Sequence, residues 1–443
     1  MPATSNNFRL TAYIGAGAIF IGLLALVIFG FPDAKLKAPV AFEEDEKKAK
    51  KSHRARLPDH SRSAKKISTP SEITDGEEED DASLPREVII RGKSKEELTK
   101  IFTKALESGG NFEGLIKELY AARIEFPSRE AAEKFRDSLG DGDYSDSNYV
   151  VMAPDFPTDD DLAGRTPTTG DGGTRTTTTS EGLQPFGDRA LEFLGITEDN
   201  SAWGRDLTIG ILDSGVYAHE SLAGINIRQI DLVQTPEDPQ ADYTGHGTGV
   251  ADIAHLVAPS ADLLSVRVLD SEGIGDTFTV AQGVIAAADN GANVINLSLG
   301  SYGDSAVLRD AIDYAIDKGA IIVAASGNDG IEQVSYPAAY ENVIGVTAVD
   351  ASGAFADFSN TGDGVDIGAP GVGVHSAWGE EGQVQFSGTS AASPFVAGAI
   401  AAMVTLNPGY TISQAAEQMQ ASAEDTGAVG DDPQTGSGIL SFK

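Results

Sequence analysis

The chain has 443 residues, enough for two or three domains at about 100–200 residues each, and its apolar share of 41% lets most of it fold. It has no cysteine, which excludes disulfides, iron–sulfur clusters and thiol nucleophiles. A formal net charge of −35, from 67 acidic and 32 basic residues, argues against a nucleic-acid binder, because such a surface repels phosphates.

Residues 10–31 form a run of 22 residues without a charge. As a helix this run spans about 33 Å, enough for a bilayer core of about 30 Å. Cleaved signals usually carry roughly 7–15 apolar residues, so residues 1–32 are read as a transmembrane signal-anchor in preference to a cleaved signal or a buried helix. Orientation is in conflict. Arg9 precedes the run and Lys35, Lys37, Lys47, Lys48, Lys50 and Lys51 follow it, which pulls the following side inward, although large domains are still translocated. Residues 33–84 mix basic runs with the acidic run 77–81 and read as a disordered charged linker.

A small folded unit is expected at 85–155. Residues 87–91 (EVIIR) read as a strand, and Leu98, Ile101, Phe102, Ala105 and Leu106 share one helical face. Residues 122–126 read as a second strand, Ala131, Ala132, Phe135 and Leu139 repeat the helical spacing, and 148–152 return to strand. These alternating elements suit a small α/β sandwich. Residues 156–182, rich in Thr, Gly and Asp, read as a linker.

The remainder, 183–443, is α/β in pattern. Apolar runs at 207–212, 263–268, 294–297, 321–325 and 343–349 alternate with helical stretches at 278–289, 306–317 and 391–404. Near-continuous apolar strands of this kind imply a doubly wound, mostly parallel sheet with helices on both faces. Residues 188–443 hold 35 acidic and only 7 basic residues. That excess reads as a solvated acidic surface, or more sharply as adaptation to salty surroundings outside the cell.

Three segments carry candidate chemistry. Asp213 ends an apolar strand, in Ile211-Leu212-Asp213-Ser214-Gly215, where open α/β sheets place functional groups. His246 stands among glycines in Gly245-His246-Gly247-Thr248-Gly249. Ser390 lies in Gly388-Thr389-Ser390-Ala391-Ala392-Ser393-Pro394, where a tight turn leads into an Ala-rich helix whose N-terminus favours developing negative charge.

Read together, Asp213, His246 and Ser390 follow the order Asp…His…Ser of the subtilisin family of serine proteases, which this chain resembles over roughly residues 183–442. Further stretches match: Val257-Ala258-Pro259, Val266-Arg267-Val268-Leu269, Val294-Ile295-Asn296-Leu297-Ser298-Leu299-Gly300, Ala324-Ala325-Ser326-Gly327-Asn328 and Ala369-Pro370-Gly371. The resemblance implies a subtilisin-like fold and a serine endopeptidase. Ser390 would be the nucleophile, His246 the general base and Asp213 its orienting partner, with the Asn328 amide and the Ser390 N–H stabilising the oxyanion. It also implies that Ser298, Leu299 and Gly300 on one side, and Ala324, Ala325, Ser326 and Gly327 on the other, offer backbone edges to an extended peptide. Ser335 would floor the pocket for the residue before the cut. Asp329, near its rim, reads either as a selector of basic side chains or as an ordinary surface carboxylate.

Some positions depart from the family. Gly249 and Ala391 stand where a His and a Met are common, and Phe395 replaces a His. The loop after His255 is short, so a tight calcium site is expected to be missing. The acidic stretch 231–242 leaves a weak Ca²⁺ site possible but unassigned, and no cofactor or metal is expected. The unit at 85–155, ending Tyr149-Val150-Val151-Met152-Ala153-Pro154-Asp155, resembles an inhibitory propeptide. The expected partners are protein or peptide substrates, the chain's own propeptide and a membrane, with the catalytic domain outside the cytoplasm, anchored or secreted. Two alternatives remain. One is an aspartic protease using Asp213-Ser214-Gly215 and Asp425-Thr426-Gly427. The other is a catalytically silent, membrane-tethered binding protein on the same scaffold.

Overall fold

The computed structural model describes residues 82–139, 145–153, 183–233, 245–379, 382–426 and 430–443. The expected anchor, nearly all of the charged linker, the Thr/Gly-rich linker, the end of the propeptide-like segment and most of the acidic stretch 231–242 lie outside those residues.

The first unit runs β1 (Ser83–Arg91), α1 (Lys95–Glu107), β2 (Asn111–Ile116), β3 (Ala121–Glu125), α2 (Arg129–Leu139) and β4 (Ser145–Met152). β1 begins inside the end of the stretch read as linker. β2 was not anticipated: its Phe112–Gly114 step breaks register against β3, which blurs the period-two pattern. The four strands lie in the order β2-β3-β1-β4. Ser94 caps α1 by accepting from the Glu97 N–H at 3.3 Å. Side chains alternate across β1. Val88 and Ile90 pack on α1 and α2 with Phe102, Phe126 and Phe135, whereas Ile89 points the other way into the core of the larger unit. The continuous apolar run in β1 thus records burial on both faces.

In the larger unit a short helix α3 (Ala190–Phe193) leads to β5 (Thr208–Asp213), β6 (Ile227–Asp231), helix α4 (His246–Val257), β7 (Asp262–Arg267), the short β8 (Ile274–Asp276), α5 (Thr277–Asp289) and β9 (Val294–Leu297). Then come α6 (Ala306–Asp317), β10 (Ile321–Ala325), β11 (Val343–Val349), β12 (Ile367–Pro370), the hairpin β13 (Val374–Trp378) and β14 (Gly382–Phe386), α7 (Thr389–Leu406) and α8 (Ile412–Ala421). Seven strands form a parallel sheet in the order β12-β11-β10-β9-β5-β7-β6. One face carries Ile209, Ile211, Val294, Val323 and Val346 against α4 and α7. The other carries Leu212, Leu264, Val266, Ile295 and Ile322 against α5 and α6. α7 is the one described helix long and apolar enough to cross a membrane; it is 83% buried and serves as the core helix.

The order of strands reverses between β5 and β9. Chain leaving β5 goes on to β6 and β7 on one side, and β9 to β12 follow on the other. In an open parallel sheet, the crevice at the carboxyl ends of such strands is where ligands bind. Asp213 ends β5, Ser298 follows β9 and Ser326 follows β10, so three central neighbours converge on one crevice.

Candidate active site

Asp213 is buried, and both of its carboxylate oxygens lie 2.9 Å from His246 Nδ1. Its Oδ1 also accepts from the Ser214 N–H at 2.7 Å and the Ser214 hydroxyl at 3.1 Å. These bonds fix the carboxylate before it meets the imidazole. His246 is the first residue of α4. Gly245 precedes it at φ 85°, a left-handed conformation that suits glycine. Gly247 is equally constrained: a Cβ there would fall 2.2 Å from the Gly215 carbonyl oxygen and 3.0 Å from Asp213 Oδ1. The glycine frame therefore lets helix and strand end approach closely enough for the carboxylate to reach the ring.

The imidazole is enclosed by the hairpin. Phe386 meets it edge to face at 5.2 Å and Trp378 at 6.5 Å. Gly249, where relatives were expected to carry His, permits this. A Cβ there would lie 3.1 Å from the Ala377 carbonyl oxygen and 3.3 Å from Phe386. On the same helix His255 has its affinity for a proton lowered by burial, with Asp252 opposing the effect.

Ser390 is buried in the first turn of α7, and its hydroxyl lies 3.5 Å from the Ser298 carbonyl oxygen. The Ser298 side chain turns inward, donating to the Ser390 carbonyl oxygen at 3.0 Å and sharing a 2.9 Å bond with Ser393. Asn328 accepts from the Thr389 N–H at 2.9 Å and the Thr389 hydroxyl at 2.8 Å through Oδ1. A backbone N–H can only donate, so this bond fixes which end of the amide is oxygen. The Nδ2 end is then a donor beside the turn that carries Ser390.

The backbone edges differ from expectation. Ala324 lies inside β10 with both β9 and β11 paired to it, and Ala325 is paired with β11. Ser326 and Gly327 spend their backbone groups on Val346, Ser335, Thr389 and Asn360. Gly300 does offer an edge: it exchanges both hydrogen bonds with Met152, at 3.0 and 2.9 Å. The opposite edge is β8 with Gly273. β4 pairs antiparallel with β8 through Val150, Val151 and Met152, and the Ala153 N–H donates to the Gly273 carbonyl oxygen at 2.9 Å. No motif marked this second edge, because three residues of backbone leave no compositional trace. Leu299 is buried in the core. Ser335 is buried, with its hydroxyl donating to the Ser326 carbonyl oxygen at 3.1 Å.

Asn360 was also missed. It is fully buried, and its N–H donates to the Gly327 carbonyl oxygen at 3.0 Å. Its Oδ1 accepts from the Asp329 and Ile331 N–H groups at 3.0 and 3.3 Å, and its Nδ2 donates to the Tyr302 hydroxyl at 2.8 Å. It thereby holds the loop on which Asn328 sits. Asp425, the second acid of the aspartic-protease reading, is exposed and accepts from the Gly430 N–H at 3.0 Å, a turn contact. Among the described residues no group of three or more His, Cys, Asp or Glu could hold a metal ion.

Residues 204–438 match the model of the subtilase family, peptidase S8. The minor extracellular protease Epr of Bacillus subtilis is 35% identical over 252 residues, covering 54% of this chain and 38% of that protein. Subtilisin BL of Lederbergia lenta is 40% identical over 234 residues, covering 51% of this chain and 86% of that protein. Among solved structures, fervidolysin from Fervidobacterium pennivorans, a keratinolytic enzyme related to subtilisin, aligns with a TM-score of 0.64 and 25% identity. That alignment covers 80% of this chain and 60% of the other. Sphericase aligns with a TM-score of 0.52 and 30% identity, covering 59% of this chain and 99% of the other. With the family's match spanning more than half of its length and including Asp213, His246 and Ser390, the chain belongs to the subtilase family of serine proteases.

Proposed function

We propose that the chain is a serine endopeptidase made as a precursor, with Asp213, His246 and Ser390 as its triad. The observation that carries this reading is the buried Asp213–His246 pair, 2.9 Å apart at the end of β5, with Ser390 held against Ser298 at the end of the neighbouring β9. Asp213 holds the imidazole in the tautomer with hydrogen on Nδ1, which leaves Nε2 as the base. His246 takes the Ser390 proton as Oγ attacks the peptide carbonyl carbon. The carbonyl oxygen becomes an oxyanion, met by Asn328 Nδ2 and the Ser390 N–H at the α7 terminus. Collapse breaks the C–N bond, and the proton on His246 passes to the leaving amine. Water then repeats the sequence on the acyl-enzyme, with His246 again the base. This chemistry calls on no cofactor, and the acidic stretch 231–242 is not assigned as a Ca²⁺ site.

The unit at 85–155 acts as the inhibitory propeptide. Its last strand already lies between β8 and Gly300 as a third, antiparallel strand, the way an extended substrate would add. The fervidolysin alignment supports the reading, since 80% of this chain is more than the larger unit alone supplies. Substrates are proteins or peptides. Residues 10–31 anchor the precursor in a membrane or direct its export, with the catalytic domain outside the cytoplasm; the extracellular setting named for Epr supports that side.

A Ser390→Ala variant tests the proposal. It should fold, should hydrolyse no peptide, should not react with a fluorophosphonate probe and should keep its N-terminal unit uncut. Mass spectrometry of the N-terminus reads the last point. Turnover or self-processing equal to wild type in that variant would refute the assignment.

A further inference from the structure

We propose that Tyr302 sets the charge preference of the pocket for the residue before the cut, by holding the Asp329 carboxylate at the rim so that the pocket does not favour basic side chains over neutral ones. The inference rests on the peptidase reading and concerns a residue that reading does not use.

The position of the pocket follows from the strand already in the crevice. Met152 pairs with Gly300, and the chain continues past it with Ala153 bonded to Gly273. A peptide in this register runs on toward Ser390, so its side chain at the cut enters the space beside Gly300 and Gly327. Ser335 closes that space. A Cβ on Gly300 would lie 2.5 Å from Ser335 Oγ, and one on Gly327 3.4 Å from it. Ser335 Oγ is itself tied to the Ser326 carbonyl oxygen, so the floor is shallow and uncharged.

Among the described residues of the loop 327–331 there is one carboxylate, Asp329, two residues beyond Gly327 and exposed. Tyr302 stands two residues beyond Gly300 on the opposite wall. Its hydroxyl donates to Asp329 Oδ2 and accepts from Asn360 Nδ2 at 2.8 Å. The Asp329 N–H is bonded to the same buried Asn360. The carboxylate is thus tied from its backbone and from its side chain. Burial and the neighbouring Asp329 push the Tyr302 phenol above its ordinary range, so it remains a donor throughout the working pH range. A cationic side chain in the pocket then meets a carboxylate that is engaged by the phenol and open to water, which screens the attraction. Freeing the carboxylate lets it swing toward the ammonium group.

The test is a set of peptides identical except for Lys, Gln or Ala before the cut, assayed as kcat/KM on the mature enzyme. Wild type should treat Lys and Gln within about threefold of each other. Tyr302→Phe should raise the Lys-to-Gln ratio roughly five- to twentyfold, and adding Asp329→Asn should return it to the wild-type value. An unchanged ratio in Tyr302→Phe would overturn the proposal. So would a wild-type preference for Lys that Asp329→Asn abolishes, because the carboxylate would then be acting past the phenol. Failure of the underlying peptidase reading looks different: wild type would cleave none of the peptides and its Ser390 would not be labelled by the fluorophosphonate.

Discussion

At the scale of single residues, Asn360 shows what holds the loop that carries Asn328. Five bonds converge on one buried amide residue, and three of their partners are groups of the loop 327–331. Truncation to Ala would leave the Asp329 and Ile331 N–H groups and the Tyr302 hydroxyl without that partner. Each buried group so stranded costs about 1–3 kcal/mol. Part of this loss would be relieved by water, because Asp329 is exposed. We expect Asn360→Ala to lower stability by about 2–3 kcal/mol and kcat by at least tenfold, with KM changed less than threefold. Thermal unfolding and steady-state kinetics check the two halves. A KM effect equal to the kcat effect would place Asn360 in substrate binding instead. The triad candidates were legible in the sequence because glycines and small residues frame them, and that frame is a backbone requirement which Gly247 makes concrete. Asn360 was not legible. An Asn after Phe358-Ser359 has no local mark, and its partners lie 29 to 58 residues away in the chain.

Among the elements, the hairpin β13–β14 is where expectation was thinnest. Its strands have only five positions each and alternate buried and exposed residues imperfectly, so they do not stand out beside the buried runs of the parallel sheet. The parallel strands β9, β10 and β11 were legible to the residue for the opposite reason, being apolar on both faces. What anchors the hairpin is Asp252, two turns along α4 from His246. This buried carboxylate accepts from the Ala377 N–H at 2.8 Å and the Ser376 hydroxyl at 3.2 Å, and that hydroxyl also lies 2.8 Å from the Gly249 carbonyl oxygen. The helix bearing His246 and the hairpin bearing Trp378 and Phe386 are therefore bolted together. Trp378 Nε1 comes so near Gly245 that a Cβ there would lie 2.8 Å from it. Removing Trp378 should loosen the imidazole without touching substrate. Trp378→Ala is expected to lower kcat about ten- to thirtyfold with little change in KM, and Trp378→Phe to restore most of it, since an aromatic edge is what the ring packs against. Equal losses in the Ala and Phe variants would show that an aromatic edge is not sufficient and that the indole itself is required.

For the molecule as a whole, the two units are joined by carboxylates that lose water when they dock. Glu87 has its pKa raised by burial, with Asn148 and Arg123 opposing. Asp146 is raised by burial although it accepts from the Val307 N–H and from Ser305 at the start of α6. Asp310 is raised by burial, with Arg91 opposing. Around Glu87 stand Asn148 at 2.7 Å and Arg123 at 3.9 Å from the first unit, with Asp276 of the larger unit 3.0 Å from the same Asn148 amide and 2.9 Å from Arg123. Separation of the units returns these carboxyl groups to water and toward their ordinary range. A group whose pKa is higher docked than free favours docking fully below its free value, and that favour is lost as pH rises through the docked value. The contact is therefore tightest on the acid side and weakens as pH climbs from the ordinary carboxylate range through the raised values. Hydrogen exchange of the β4 amides in the uncut Ser390→Ala precursor reads this directly. After correction for intrinsic exchange, opening should become more frequent with rising pH, and Glu87→Gln with Asp146→Asn, which keep their acceptor oxygens, should flatten the dependence. Opening that instead grows toward acid would show that these desolvated carboxylates do not set the direction of release.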